Sequence, residues 1–261
     1  MSNIFGELQS ESNKMFNTVV ENRQRMNRIV EIFQGLPTHA TMQLYFSRLR
    51  EGIRVETLEA ADAFMVDPGY PMDIMPEELR HDSLGFCNAY GYVYAGRYVY
   101  PVKDSHGDVA GWCGYDKFIT PKYLDSVNYG YKAKQGLLWG MELISLYYRS
   151  NLPVFITEGI VCAMWLRQEG FQALSLLGSY ISPYIAEILR RFGKRCIIVP
   201  DSDAAGNKLM IQAKMLLPEA IVIQSRVAKD IDDSQKLCPK LADDLRSFYK
   251  PFGRSQYFTR R

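Results

Sequence analysis

From Asn13 to Phe33 the apolar residues Met15, Phe16, Val19, Val20, Met26, Ile29, Val30 and Phe33 recur at three- and four-residue steps. Polar residues fill the remaining positions, so this stretch predicts an amphipathic helix that packs on the core. Gly35 and Pro37 end it. The pattern predicts a second helix over Thr38–Glu51, closed by Gly52, and a third over Val55–Phe64. Pro68–Pro76, PGYPMDIMP, reads as a turn-rich loop. The period then shortens to two. Tyr90–Val102, YGYVYAGRYVYPV, alternates aromatic and β-branched residues; Asp104–Asp108 (DSHGD) makes a hairpin turn and Val109–Tyr115 returns. A small antiparallel sheet is expected, with Arg97, Lys103, Lys117, Lys122, Lys132 and Lys134 on its exposed loops. Spaced cations of this kind suit phosphate contacts, although solvated lysines are common on any surface.

After Pro153 the rhythm changes again. Short apolar runs at Val154–Thr157, Ala173–Leu177, Cys196–Val199 and Ala220–Gln224 alternate with helical stretches at Ile160–Gln168, Tyr184–Phe192 and Ala204–Leu217. Ser182 is placed to cap the middle helix, with Pro183 at its first position. Strands alternating with helices of this length predict parallel βαβ units. The fold class is therefore α/β: a parallel βαβ sheet preceded by a smaller mixed α+β region. Expected boundaries are a helical extension over residues 1–37, the α+β part over 38–150, the βαβ part over 151–233, and a basic helix or tail over 234–261.

Ligands of such sheets gather at the carboxyl ends of the strands, and the chain places its acids there. Glu158 follows the first strand; Asp201 and Asp203 follow the third; Asp230, Asp232 and Asp233 follow the fourth. Carboxylate oxygens in that number suit magnesium or manganese, and a divalent cation would relieve their repulsion. Asp201 or Asp203 would also serve as the N-cap of the helix at Ala204. Gly159 and Gly206 are read as the residues that let the backbone turn beside these acids.

Composition adds limits. A hydrophobic fraction of 47% over 261 residues supports a substantial core. The first residues, MSNIFGELQSESNKMF, show no signal-peptide pattern, and no apolar run is long enough for a membrane span; a cytoplasmic protein is expected. Cys87, Cys113, Cys162, Cys196 and Cys238 are scattered without CxxC spacing, so reduced thiols are expected and a zinc ribbon is not. The net charge of +2 is uneven: residues 1–150 hold 15 Lys/Arg and 18 Asp/Glu, and residues 151–261 hold 16 and 11. No GxxxxGK[ST], GxSxG or HExxH motif is present.

The series TEG, LLGS, PDSDAAG and KDIDD resembles the Toprim domain shared by bacterial-type primases, topoisomerases and several nucleases. GRYVYPVKDSHGDVAGWCG, TPKYLDS and LLWGMEL, with YFSRLREGIRVETL ahead of them, resemble the RNA-polymerase domain of DnaG-type primases. Together the likeness covers roughly residues 40–235. It implies metal-dependent synthesis of short RNA primers from ribonucleoside triphosphates on a single-stranded DNA template. It implies that Glu158, Asp201 and Asp203, with Asp230 and Asp232, bind two magnesium or manganese ions; no zinc is expected, because the cysteines and histidines lack ribbon spacing. Arg97, Lys122, Lys132 or Lys134, and Lys229 would hold nucleotide and template. The chain departs from the family pattern at Cys162, Tyr115, Asp125 and Glu51. A bare polymerase core suits a bacteriophage-type replication protein whose helicase is a separate chain. Two alternatives remain open on the same residues: a Toprim-type nuclease, and a replication factor that binds without catalysis.

Overall fold

The computed structural model describes residues 2–260 apart from 50–51, 117, 126, 129–130, 133–135, 239 and 250–257, and leaves out the side chains of 2–16, 49, 127–128, 131–132, 232, 249 and 258–260. Two sheets organise it. β1 (Phe64–Val66), β4 (Arg97–Lys103), β5 (Val109–Tyr115) and β6 (Tyr123–Asp125) form an antiparallel sheet in the order β1-β4-β5-β6, after the short pair β2 (Cys87–Asn88) and β3 (Gly91–Tyr92). β7 (Val127–Asn128) and β8 (Tyr131–Lys132) pair by themselves. β9 (Val154–Thr157), β10 (Gln172–Ser175), β11 (Cys196–Val199) and β12 (Ile221–Ser225) are parallel, in the order β10-β9-β11-β12, and β13 (Phe258–Arg260) adds an antiparallel edge to β12.

The continuous apolar strands of the second sheet reflect burial on both faces. Phe155, Ile197 and Val199 point to one core, Val154, Ile156 and Ile198 to another. The first of these cores also contains Phe46, Tyr98 and Tyr100 from the antiparallel half, so the two sheets share a hydrophobic interior. β4 divides its residues likewise: Tyr98 and Tyr100 face the shared core, and Val99 faces the helix Ser2–Gln34. That helix buries Met26, Ile29, Val30 and Phe33 against Phe64, Val66 and Trp112, as its periodicity implied. All five cysteines are free and buried. No helix among the described residues is long and apolar enough to cross a membrane.

Three local expectations change. The third helix stops at Ala60 rather than Phe64. Asp62 takes a left-handed conformation (φ 51°) beside the Lys103 ammonium, and Phe64 pairs with Val99 as a strand; sheet pairing and burial of Phe64 outweigh local helix preference. Arg97 is not on an exposed loop but lies in β4, 4% exposed. The basic tail does not end as a helix: after the helix Leu241–Arg246 it returns as β13.

Candidate functional site

The carboxyl ends of β9, β11 and β12 open on a cleft of about 330 Å³. Glu158, Asp201, Lys229 and Asp230 line it from the parallel sheet, while Lys122, Tyr123 and Asp125 line it from the antiparallel half. The seam between the two sheets is thus where opposite charges meet.

Glu158 leaves β9 with its side chain 7% exposed. Its Oε1 accepts the backbone N–H of Asp201 at 2.9 Å, and Oε2 accepts the Ser179 hydroxyl. One carboxylate therefore ties the first strand end to the third. The Asp201 carbonyl in turn accepts Gln224 Nε2 at 3.0 Å. Gly206 lies in the first turn of the helix Ala204–Leu216, where a Cβ would come 1.9 Å from the Asp201 carbonyl oxygen; only glycine permits this approach. Gly159 carries no such demand: its φ of −101° is ordinary, and a Cβ there would meet nothing nearer than Tyr123 Oη at 3.9 Å.

Asp203 and Asp230 are helix N-caps. Asp203 Oδ1 accepts the N–H groups of Ala205 at 3.0 Å and Gly206 at 2.9 Å. Asp230 Oδ1 accepts the N–H of Asp233 at 2.8 Å and opens the helix Ile231–Leu237. Asp201 is not a cap. Burial, then the charges of Glu158 and Asp230, push its carboxyl up to about 7, with Lys229 opposing and Asp203 adding to the rise. The Gly206 N–H, followed by Lys229, holds the Asp203 carboxyl below the usual carboxylate range. The Lys229 ammonium lies 3.1 Å from Asp203 Oδ2 and 3.9 Å from Asp201 Oδ2. These contacts, led by the hydrogen bond to Asp203, raise its own pKa.

The donor set suits a hard divalent cation: it is all oxygen, and crowding already disfavours full ionisation of Asp201. Among the described residues no three Asp, Glu, His or Cys side chains converge tightly enough to enclose an ion. Lys229 supplies positive charge there instead. Asp232 lies in the helix Ile231–Leu237, but its side chain is outside the described residues.

The basic residues separate. Lys122 lines the cleft, its ammonium 5.5 Å from the Tyr115 ring centre and 5.9 Å from that of Tyr123. Arg97 lies behind it and donates from Nη1 to the Lys122 carbonyl at 3.2 Å. Lys132 is in β8 with its side chain outside the described residues, and Lys134 lies outside them altogether. Residues 50–51, where the family pattern also departs, are likewise not described. Cys162 and Asp125 both line the cleft, and Tyr115 is buried beneath Lys122. Motif reading missed Ser179 and Gln224. No local signal marks a serine or glutamine that acts on a residue more than twenty positions away, although LLGS put Ser179 in a motif.

A Toprim-like family model matches residues 155–235. The DNA primase of Legionella pneumophila is 30% identical over 118 residues, 44% of this chain and 20% of that protein. The chain thus matches about a fifth of that relative's length. The E. coli primase catalytic core superposes with a TM-score of 0.69 at 22% identity, over 86% of this chain and 78% of that one. A DnaG primase catalytic domain bound to single-stranded DNA superposes at 0.70 and 22%, over 86% and 79%. The matched segment and the strand order define an α/β protein with a Toprim-like segment over residues 155–235. More narrowly, the chain has the fold of DnaG-type primase catalytic cores, in which an RNA-polymerase core carries a Toprim domain.

Proposed function

We propose that the chain synthesises short RNA primers on single-stranded DNA. The observation that carries this reading is the cleft in which Lys122 faces Glu158, Asp201 and Asp230. The primase relatives and the DNA-bound catalytic domain of the same fold support it. In this reaction the primer 3′-oxygen forms a bond to the α-phosphorus of a ribonucleoside triphosphate, and pyrophosphate leaves.

Glu158, Asp201, Asp203, Asp230 and Asp232 would hold two divalent cations, magnesium or manganese, which when bound supply Lewis-acid charge to phosphate oxygens and acidify the 3′-hydroxyl. The remaining work belongs to the chain's own groups. Lys122 brings a flexible ammonium to the triphosphate, braced by the rings of Tyr115 and Tyr123. Arg97 acts as a positioning residue through the Lys122 carbonyl. Ser179 and the Asp201 N–H fix both oxygens of Glu158. Lys132 or Lys134, of which Lys134 is the better match, is assigned to holding nucleotide and template. On this reading residues 38–150 carry the basic wall and 151–233 the acidic one, the protein works in the cytoplasm, and a replicative helicase is its partner.

The test is a template-dependent assay with labelled ribonucleotides and magnesium or manganese. Oligoribonucleotides are expected from the wild type, and Asp201→Asn is expected to abolish them with the fold retained. Undiminished synthesis by Asp201→Asn would overturn the assignment. Degradation of a labelled strand without nucleotides would favour the nuclease chemistry.

A further inference from the structure

Lys229 does more in this structure than a phosphate-binding lysine needs to. Its carbonyl accepts the N–H of Ser202 at 2.6 Å, in the middle of the Asp201–Asp203 turn. The Ser202 hydroxyl donates to the Ser225 carbonyl at 3.1 Å, and Ser225 Oγ accepts the N–H groups of Val227 at 3.2 Å and Ala228 at 3.3 Å. The backbone of Lys229 is therefore anchored to the acidic turn. Its side chain is 55% exposed, so the ammonium swings on a four-carbon stem with little packing to lose. That ammonium reaches Asp203 at 3.1 Å and Asp201 at 3.9 Å, and it opens on the same cleft as Lys122.

We propose that Lys229 is the resident counter-ion of the carboxylate cluster: its ammonium holds Asp203 and Asp201 until a divalent cation displaces it, and the displaced ammonium then meets the phosphates of the incoming nucleotide. The proposal rests on the metal and triphosphate reading above. Glu158, Asp201, Asp203 and Asp230 crowd the strand ends, and one ammonium offsets only part of their charge. A divalent cation offsets more, but must compete for Asp203 Oδ2 with a tethered cation that never diffuses away. Cation binding and release of Lys229 are thus one exchange. It keeps the acidic turn together before loading and delivers positive charge to the cleft afterwards.

The experiment uses the full chain. Manganese binding is measured by titration calorimetry on wild type and Lys229→Met, thermal unfolding is followed in chelator, and a non-hydrolysable ribonucleoside triphosphate is titrated at saturating manganese. Lys229→Met should bind manganese roughly 3- to 10-fold more tightly, since its competitor is gone. It should melt at a lower temperature in chelator and bind the triphosphate more weakly. Unchanged or weaker manganese binding by Lys229→Met overturns the counter-ion role while leaving the metal site standing. Failure of the wild type to bind manganese overturns the metal site itself. Should Lys229→Met not fold, ammonium-detected lysine NMR on the wild type decides: the Lys229 Nζ signal must move on adding magnesium, and a stationary signal overturns the exchange.

Discussion

Asp201 carries the sharpest conflict in the molecule. Its side chain is only 20% exposed, and burial, then the charges of Glu158 and Asp230, push its carboxyl up to about 7 from a usual value near 3.8. A carboxyl whose folded value is raised contributes its stability below the unfolded value and loses it as pH rises through the folded one. Without a divalent cation, ionised Asp201 therefore burdens the fold above pH 7. Asp201→Asn keeps the shape and cannot alter the Gln224 bond, which goes to the backbone carbonyl. In chelator at pH 8 it should raise stability by about 1–2 kcal/mol, after allowance for solvent at this partly open site. The gain should fade as pH drops from 7 towards 4. Thermal melts across that range check it, and an absent or pH-independent gain would show that the cluster is not under strain. On the proposed function, this strain is stability given up for a site that takes a divalent cation.

At the scale of elements, one acid serves two masters. Asp203 caps the helix Ala204–Leu216 and also points its second oxygen to the cluster. Asparagine caps a helix about as well as aspartate, whereas alanine does not. Asp203→Asn should cost under about 0.5 kcal/mol and Asp203→Ala about 1 kcal/mol by denaturant unfolding, while both lose primer synthesis. Equal synthesis by Asp203→Asn and wild type would reduce Asp203 to a cap. This double use explains what was legible in the chain. β9 and β11 could be read because their apolar runs end at once in acids, and Ser182–Pro183 announced its helix. The true extent of the third helix could not be read, since Phe64 is recruited by Val99, thirty-five positions away. Nor could β13, whose strand state depends on the open edge of β12. The same limit hid Ser179 and Gln224: their partners are fixed by the fold, not by neighbours in sequence.

For the whole molecule, the cleft exists because two sheets meet, so its geometry depends on the interior they share. Phe46, Tyr98 and Tyr100 on one side and Phe155, Ile160 and Phe171 on the other belong to one core. Phe46 stacks on Tyr98 with ring centres 3.8 Å apart, and Phe155 meets Phe171 edge-on at 5.3 Å. Neither wall of the cleft is then independent: Lys122 lies between β5 and β6, the acids follow β9, β11 and β12, and the common core joins the sheets that carry them, with hydrogen bonds such as Arg54 N–H to Gln168 Oε1 beside it. Phe155 is fully buried in the parallel sheet and contributes nothing to the charged site. Phe155→Ala should cost about 3–5 kcal/mol through the cavity it leaves. The informative measurement is hydrogen exchange residue by residue. If the sheets form one cooperative unit, amides of β4 and β5 should lose protection together with those of β9 and β10. Loosening confined to β9–β12 would mean that the basic wall folds by itself, and that closure of the cleft must come from bound nucleotide and template, not from the core.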